Sequence, residues 1–236
     1  MPDRTASRRP LLVTGLPASA LELRESPRAT RMTLRVDPAR DVIQVVVPRG
    51  VTEAEAARFV ARHADWVRSR LAAMPPRLAF ADGVALPFLG ADHVVRHDPR
   101  HRGGTLRADG EIRVGGSPEF VARRVRDFLV AEARRELAAR SRDKAERIGA
   151  SLGAVAVRDT RSRWGSCAST GRLSFSWRLI LAPEPVLDYV VSHEVAHLRE
   201  MNHGPRFWRL VATLSPEAEG ARAWLKANGA RLLRYG

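Results

Sequence analysis

His193 and His197 stand four residues apart in Tyr189-Val190-Val191-Ser192-His193-Glu194-Val195-Ala196-His197-Leu198, an apolar run that suits a helix. Residues i and i+4 share a helix face, so two imidazole nitrogens can point at one ion, as zinc takes them at about 2.0–2.1 Å. Glu194 is turned about 100° further round the helix, off the ion itself, where its carboxylate can reach a water held there. This His-Glu-x-x-His pattern makes the glutamate a general base for hydrolysis by a metal-activated water. A catalytic zinc takes a third protein ligand and keeps one position open. His203 is the expected third ligand, because Gly204-Pro205 behind it suits the N-cap and first turn of a new helix. Asn202 tolerates positive φ and is expected to make the intervening turn. Glu200 competes at i+7, but its backbone would lie about 10 Å along the axis from that of His193. Without a metal, the same residues would be helix histidines bonded to neighbours, with Glu194 in an ion pair.

Other residues carry weaker signals. Arg161, Arg163 and Arg178 flank the zinc pattern and could bind a substrate carboxylate or phosphate, or be ordinary solvated or ion-paired arginines. Cys167 has no nearby base and reads as a packed thiol. Trp164, Trp177, Phe207 and Trp208 read as core more than as a substrate platform. His63, His93, His97 and His101 lack paired spacing on a helix and read as surface or packing residues.

The elements that must position this chemistry follow from periodicity. Alternation at Met32, Leu34, Val36 and Val42 to Val47 predicts strands in a β-rich beginning. Arg4, Arg8 and Arg9 before Leu11-Leu12-Val13 loosely imitate a signal peptide, but Thr14, Gly15 and Pro17 interrupt it, and a first strand is expected. Thr52 and Glu55 form a capping box for one amphipathic helix running to Leu71. Short strands are expected at 84–89, 93–96, 105–107 and 111–114, in a mainly antiparallel sheet. Ser117-Pro118 starts a long helix ending near Gly149; a strand at 154–158, an arginine and tryptophan loop and a strand pair around 172–181 follow. Helices are expected at about 184–200, 205–214 and 216–230. Strands followed by helices predict an α+β fold, with a β-rich subdomain over 1–115, a catalytic subdomain over 116–236 and no internal repeat.

Composition bounds the remainder. One cysteine excludes a disulfide framework and suits a reducing cytoplasm, and no apolar run reaches the length of a membrane span. The net charge of +14 would suit a polyanion, yet only Lys144 and Lys226 among 40 basic residues are lysines. That bias, with arginines spread along the whole chain, disfavours a dedicated nucleic-acid surface.

The chain resembles the YgjP-like metal-dependent hydrolases, relatives of the WLM and SprT-like zincin metallopeptidases. The resemblance rests on Arg163-Trp164-Gly165-Ser166-Cys167, Ser176-Trp177-Arg178-Leu179-Ile180-Leu181-Ala182-Pro183, Asp188-Tyr189-Val190-Val191 leading into His193-Glu194-Val195-Ala196-His197, and Asn202-His203-Gly204-Pro205-Arg206-Phe207-Trp208. It implies a gluzincin-like helical core with a small sheet and zinc on His193, His197 and His203. Where the family often has cysteine or leucine, Val195 and Ala196 stand, and Ser176 replaces a frequent asparagine. Metzincins share the spacing of the last two histidines but have glycine where Glu200 stands and a later methionine turn; this chain has neither. The expected activity is a zinc metallopeptidase acting on peptides. Nucleoside triphosphate pyrophosphatase chemistry at the same site and a DNA-associated SprT-like repair protease are the alternatives.

Overall fold

A computed structural model describes residues 8–160 and 162–236. Arg161 and Arg4, which the sequence singles out, lie outside the described residues. The chain divides into two compact units, one up to Pro76 and one from Arg77 to Gly236.

In the first unit Arg8–Pro10 (β1), Leu21–Glu25 (β2), Thr33–Asp37 (β3) and Val42–Val47 (β4) form a sheet ordered β1-β2-β4-β3. The β2 and β4 strands run parallel and the outer pairs antiparallel. Period-two alternation sends Ile43, Val45 and Val47 into a core with Leu11, Leu21 and Leu23. The single helix expected over 52–71 is two, Glu53–Arg62 (α1) and Ala64–Ala72 (α2). The Thr52/Glu55 capping box is present. At His63 the backbone leaves the helix (φ −114°, ψ 20°), its amide bonding the Val60 carbonyl and its ring Nδ1 the Phe59 carbonyl. Ala56, Val60 and Val67 still reach the same core, so the apolar pattern survives the break.

The second unit begins with Ala85–Phe88 (β5), Ala91–His97 (β6), Leu106–Ala108 (β7) and Glu111–Val114 (β8), ordered β5-β6-β8-β7. Order and directions repeat those of the first sheet, with the second and fourth strands parallel. In both, the last hairpin turns through an aspartate of positive φ, Asp41 at 58° and Asp109 at 52°. A repeated topology thus exists without visible sequence repetition, and both sheets are mainly antiparallel, as expected, with one parallel pair in each.

A 3-10 turn at Pro118–Phe120 leads into Val121–Arg147 (α3), which buries Val121, Val125, Leu129, Ala133 and Leu137 at helical spacing. These pack in one core with Leu86, Phe88, Val95, Ile112 and Val114 of the second sheet. That shared core lies across residue 115, where the element pattern suggested a boundary, and the compact units part at Pro76. Val155–Arg158 (β9), Gly165–Cys167 (β10) and Leu173–Ser176 (β11) form a third sheet ordered β10-β11-β9. The expected strand pair over 172–181 is half strand and half turn. Trp177–Leu181 is a 3-10 turn buried at every residue, which removes strand alternation, and the antiparallel partner of β11 is β10, inside the expected loop. Glu184–Ala196 (α4), Pro205–Leu214 (α5) and Ala218–Leu232 (α6) complete the fold. No helix among the described residues is long and apolar enough to cross a membrane.

Candidate metal centre

The α4 helix forms where the sequence is most apolar, burying Val186, Leu187, Val190, Val191 and Val195. It ends at Ala196, with His197 as its C-cap. The amides of Leu198, Arg199 and Glu200 turn back onto the carbonyls of Val195 and Ala196, so Glu200 leaves the helix before its i+7 position could matter. The Glu200 backbone carbonyl accepts a bond from His197 Nδ1 at 3.0 Å, which leaves Nε2 of that ring for an ion. Asn202 is not among the residues of positive φ; the turn is made by the preceding three amides instead. Arg199 anchors it, donating to the carbonyls of Ile148 and Gly149 at the end of α3. Gly204 is the N-cap of α5 and Pro205 opens it.

This path brings His203 back. One ligand atom from each of His193, His197 and His203 falls within 4.8 Å of the others. Nε2 of His203 and Nε2 of His193 are 3.1 Å apart. Phe207, fully buried on α5, lies against all three rings at centroid distances of 4.9, 4.6 and 4.6 Å. Burial first, then the neighbouring charges, lowers His193 to about 4, and burial lowers His197 as well. Both shifts favour the neutral ring, the form that ligates a cation. The Nδ1 atom of His193 is buried without a hydrogen-bond partner among the described residues.

Glu194 is only 6 % exposed, and burial raises its carboxyl to about 7, with the charge of Arg163 opposing. Among the described residues it makes no hydrogen bond or ion pair. Its neighbour is Gly165 of β10: a Cβ built there would lie 2.6 Å from Glu194 Oε1. Glycine at that position is a steric requirement of the carboxyl, and the Arg-Trp-Gly-Ser-Cys run was its only sequence signal. Trp164 beside it is seated against α6, where a Cβ on Gly229 would lie 3.2 Å from the indole. Burial, then the nearby Glu194 charge, raises the Cys167 thiol, so it is no thiolate nucleophile.

Of the arginines named from sequence, Arg163 is the one whose charge Glu194 feels. Arg178 is buried, ion-paired with Asp159, bonded to the Tyr235 carbonyl and stacked on Trp177. Arg161 lies outside the described residues. Trp177 is core, whereas Trp208 is 38 % exposed, its ring 5.9 Å from that of His203. The remaining histidines bond backbone carbonyls: His93 that of Ala91, His97 that of Gly116 and His101 that of Gly104. Arg222 of α6 was not foreseen; it lies over Trp208 and its charge reaches His193.

Fold and site together define an α+β protein whose three-histidine cluster could hold a metal ion. Residues 30–228 match the family described as YgjP-like, metallopeptidase domain, and the chain belongs to that family. Membership makes it a metallopeptidase-type, metal-dependent hydrolase in general terms. No curated protein and no solved structure matches the chain.

Proposed function

We propose that the chain is a zinc-dependent metallopeptidase in which His193, His197 and His203 hold the ion and Glu194 is the general base. Three imidazoles suit zinc, and two such nitrogens around one tetrahedral ion lie about 3.3 Å apart, close to the 3.1 Å between His193 and His203. When bound, zinc supplies a Lewis acid for the scissile carbonyl and acidifies a water. Glu194 takes the proton of the attacking water on its carboxylate and passes it to the leaving amine. A carboxyl near 7 is suited to both halves of that transfer. Arg163 keeps it from rising further.

The observation that carries the peptide reading is the contact of Glu194 with Gly165. Among the described residues β10 pairs with β11 and with no other strand, so the strand beside the base is an edge of its sheet. An extended peptide can add to such an edge, its main chain fixed by ladder bonds while its carbonyl faces the ion. The pyrophosphatase alternative draws on arginines at the metal; Arg178 is held instead by Asp159, while Arg163 and Arg222 stand near the cluster, so the screen below includes nucleoside triphosphates. Metal analysis of the purified protein, followed by a peptide and nucleoside triphosphate screen, tests the proposal. One zinc per chain is expected, with peptide turnover falling about 10²- to 10⁴-fold in Glu194→Gln at unchanged zinc content. Undiminished turnover in that variant would remove Glu194 from its role.

A further inference from the structure

Several arginines of the second unit are held in ion pairs. Arg140 bridges Glu136 and Glu184, Arg113 pairs with Glu111 and Asp109, and Arg135 with Glu132 and Glu136. Arg222 differs. It is exposed on α6 and makes no ion pair among the described residues, although Glu219 stands three positions before it on the same helix. Its guanidinium carbon lies 5.6 Å from the centroid of the Trp208 ring. That ring in turn lies 6.0 Å from the ring of His193 and 5.9 Å from that of His203. A guanidinium stacked on an indole keeps its edge N–H groups free and is held in place by the ring face, which suits it to a planar carboxylate. What sets Arg222 apart from the Arg70–Trp66 and Arg123–Phe120 stacks is its place, since Trp208 alone among these rings adjoins the three-histidine cluster.

We propose that Arg222, positioned by Trp208, binds a carboxylate of the substrate, so that the site prefers peptides carrying a negative charge close to the scissile bond. The carboxylate comes from the peptide C-terminus or from an aspartate or glutamate side chain. The inference takes its substrate chemistry from the metallopeptidase reading and extends it to specificity. Trp208 is a positioning residue and Arg222 the group that touches substrate.

The test is calorimetric binding to zinc-loaded Glu194→Gln protein, which does not depend on turnover. Four peptides of one sequence are compared, with free or amidated C-terminus and with an acidic residue or its amide. At least one carboxylate is expected to tighten binding about 10- to 100-fold. Which pair shows the gain tells the C-terminal source from the side-chain source. The gain should vanish in Arg222→Ala, return in part in Arg222→Lys, survive Trp208→Phe and shrink in Trp208→Ala. Equal binding of all four peptides overturns the inference, as does a gain that persists in Arg222→Ala. Arg222-dependent binding of ATP tighter than that of every peptide also overturns it, by making phosphate the anion. Turnover of the same peptides by protein with Glu194 intact is scored separately. If none is hydrolysed while the Arg222-dependent gain stands, the peptidase reading fails and the carboxylate subsite does not.

Discussion

Glu194 lies so close to Gly165 that a Cβ there would stand 2.6 Å from its carboxyl. Because the glycine backbone is not in the left-handed region, Gly165→Ala adds one methyl group without backbone strain, aimed at Glu194 Oε1. Turnover is expected to fall about 100-fold, as a base displaced by about 1 Å does, with zinc content unchanged. Steady-state kinetics beside metal analysis checks it, and unaltered turnover would mean that the carboxyl is not held by this contact. The raised Glu194 carboxyl also has a signature in metal-free protein. Its folded value of about 7 lies above the ordinary 4.5, so the folded state binds the proton more strongly than the unfolded chain between those limits. Stability must then fall as pH rises through that window, by up to about 3 kcal/mol. Chelator-treated Glu194→Gln should therefore match wild type in urea at pH 4.5 and exceed it at pH 8. Identical differences at the two pH values would contradict the shift.

Among the elements, α4 is tied to its neighbours by one buried cation. Lys144 of α3, 4 % exposed, donates to Asp188 Oδ2 at 3.0 Å and to the Leu214 carbonyl at 2.7 Å, joining α3, α4 and the end of α5. An ammonium fits this three-way junction because its donors radiate from one atom, which a planar guanidinium cannot imitate. Lys144→Met leaves a buried carbonyl without its donor and Asp188 with only the more distant Arg140, and about 2–4 kcal/mol of stability should be lost. A denaturant melt reads this, and a change below about 0.5 kcal/mol would show that the junction contributes little. In the first unit, Thr52→Ala removes the reciprocal cap of α1 and should cost about 1 kcal/mol.

At the scale of the whole molecule, all three histidines belong to the unit from Arg77 to Gly236. Zinc at about 1,000 times its dissociation constant should stabilise that unit by about 4 kcal/mol. Hydrogen exchange is expected to show the gain in α4 and α5 and none in β1 to β4; protection gained equally in both units would contradict a site confined to the second. What could be read before any coordinates was local. The i, i+4 histidines, the Thr52 cap, the Gly204-Pro205 helix start and the apolar stripe of α3 depend on spacing within one turn or a few, and backbone geometry turns such spacing directly into position. His203 was reached by the same short-range route, from the helix start behind it, and the family resemblance agreed. What only the tertiary structure decided joins residues far apart in the chain. Gly165 meets Glu194 across 29 positions, Arg222 meets Trp208 from another helix, and β2 pairs with β4, and β6 with β8, in parallel past an intervening strand. No periodicity encodes those meetings, because they follow from how apolar faces stack once each element exists. The Arg178 assignment turned on the same point: whether an arginine reaches substrate or Asp159 depends on which surface its strand or turn is packed against. Local spacing therefore named the clustered histidines and Glu194, while the packing of β10, α5 and α6 around them determined which groups stand beside the cluster.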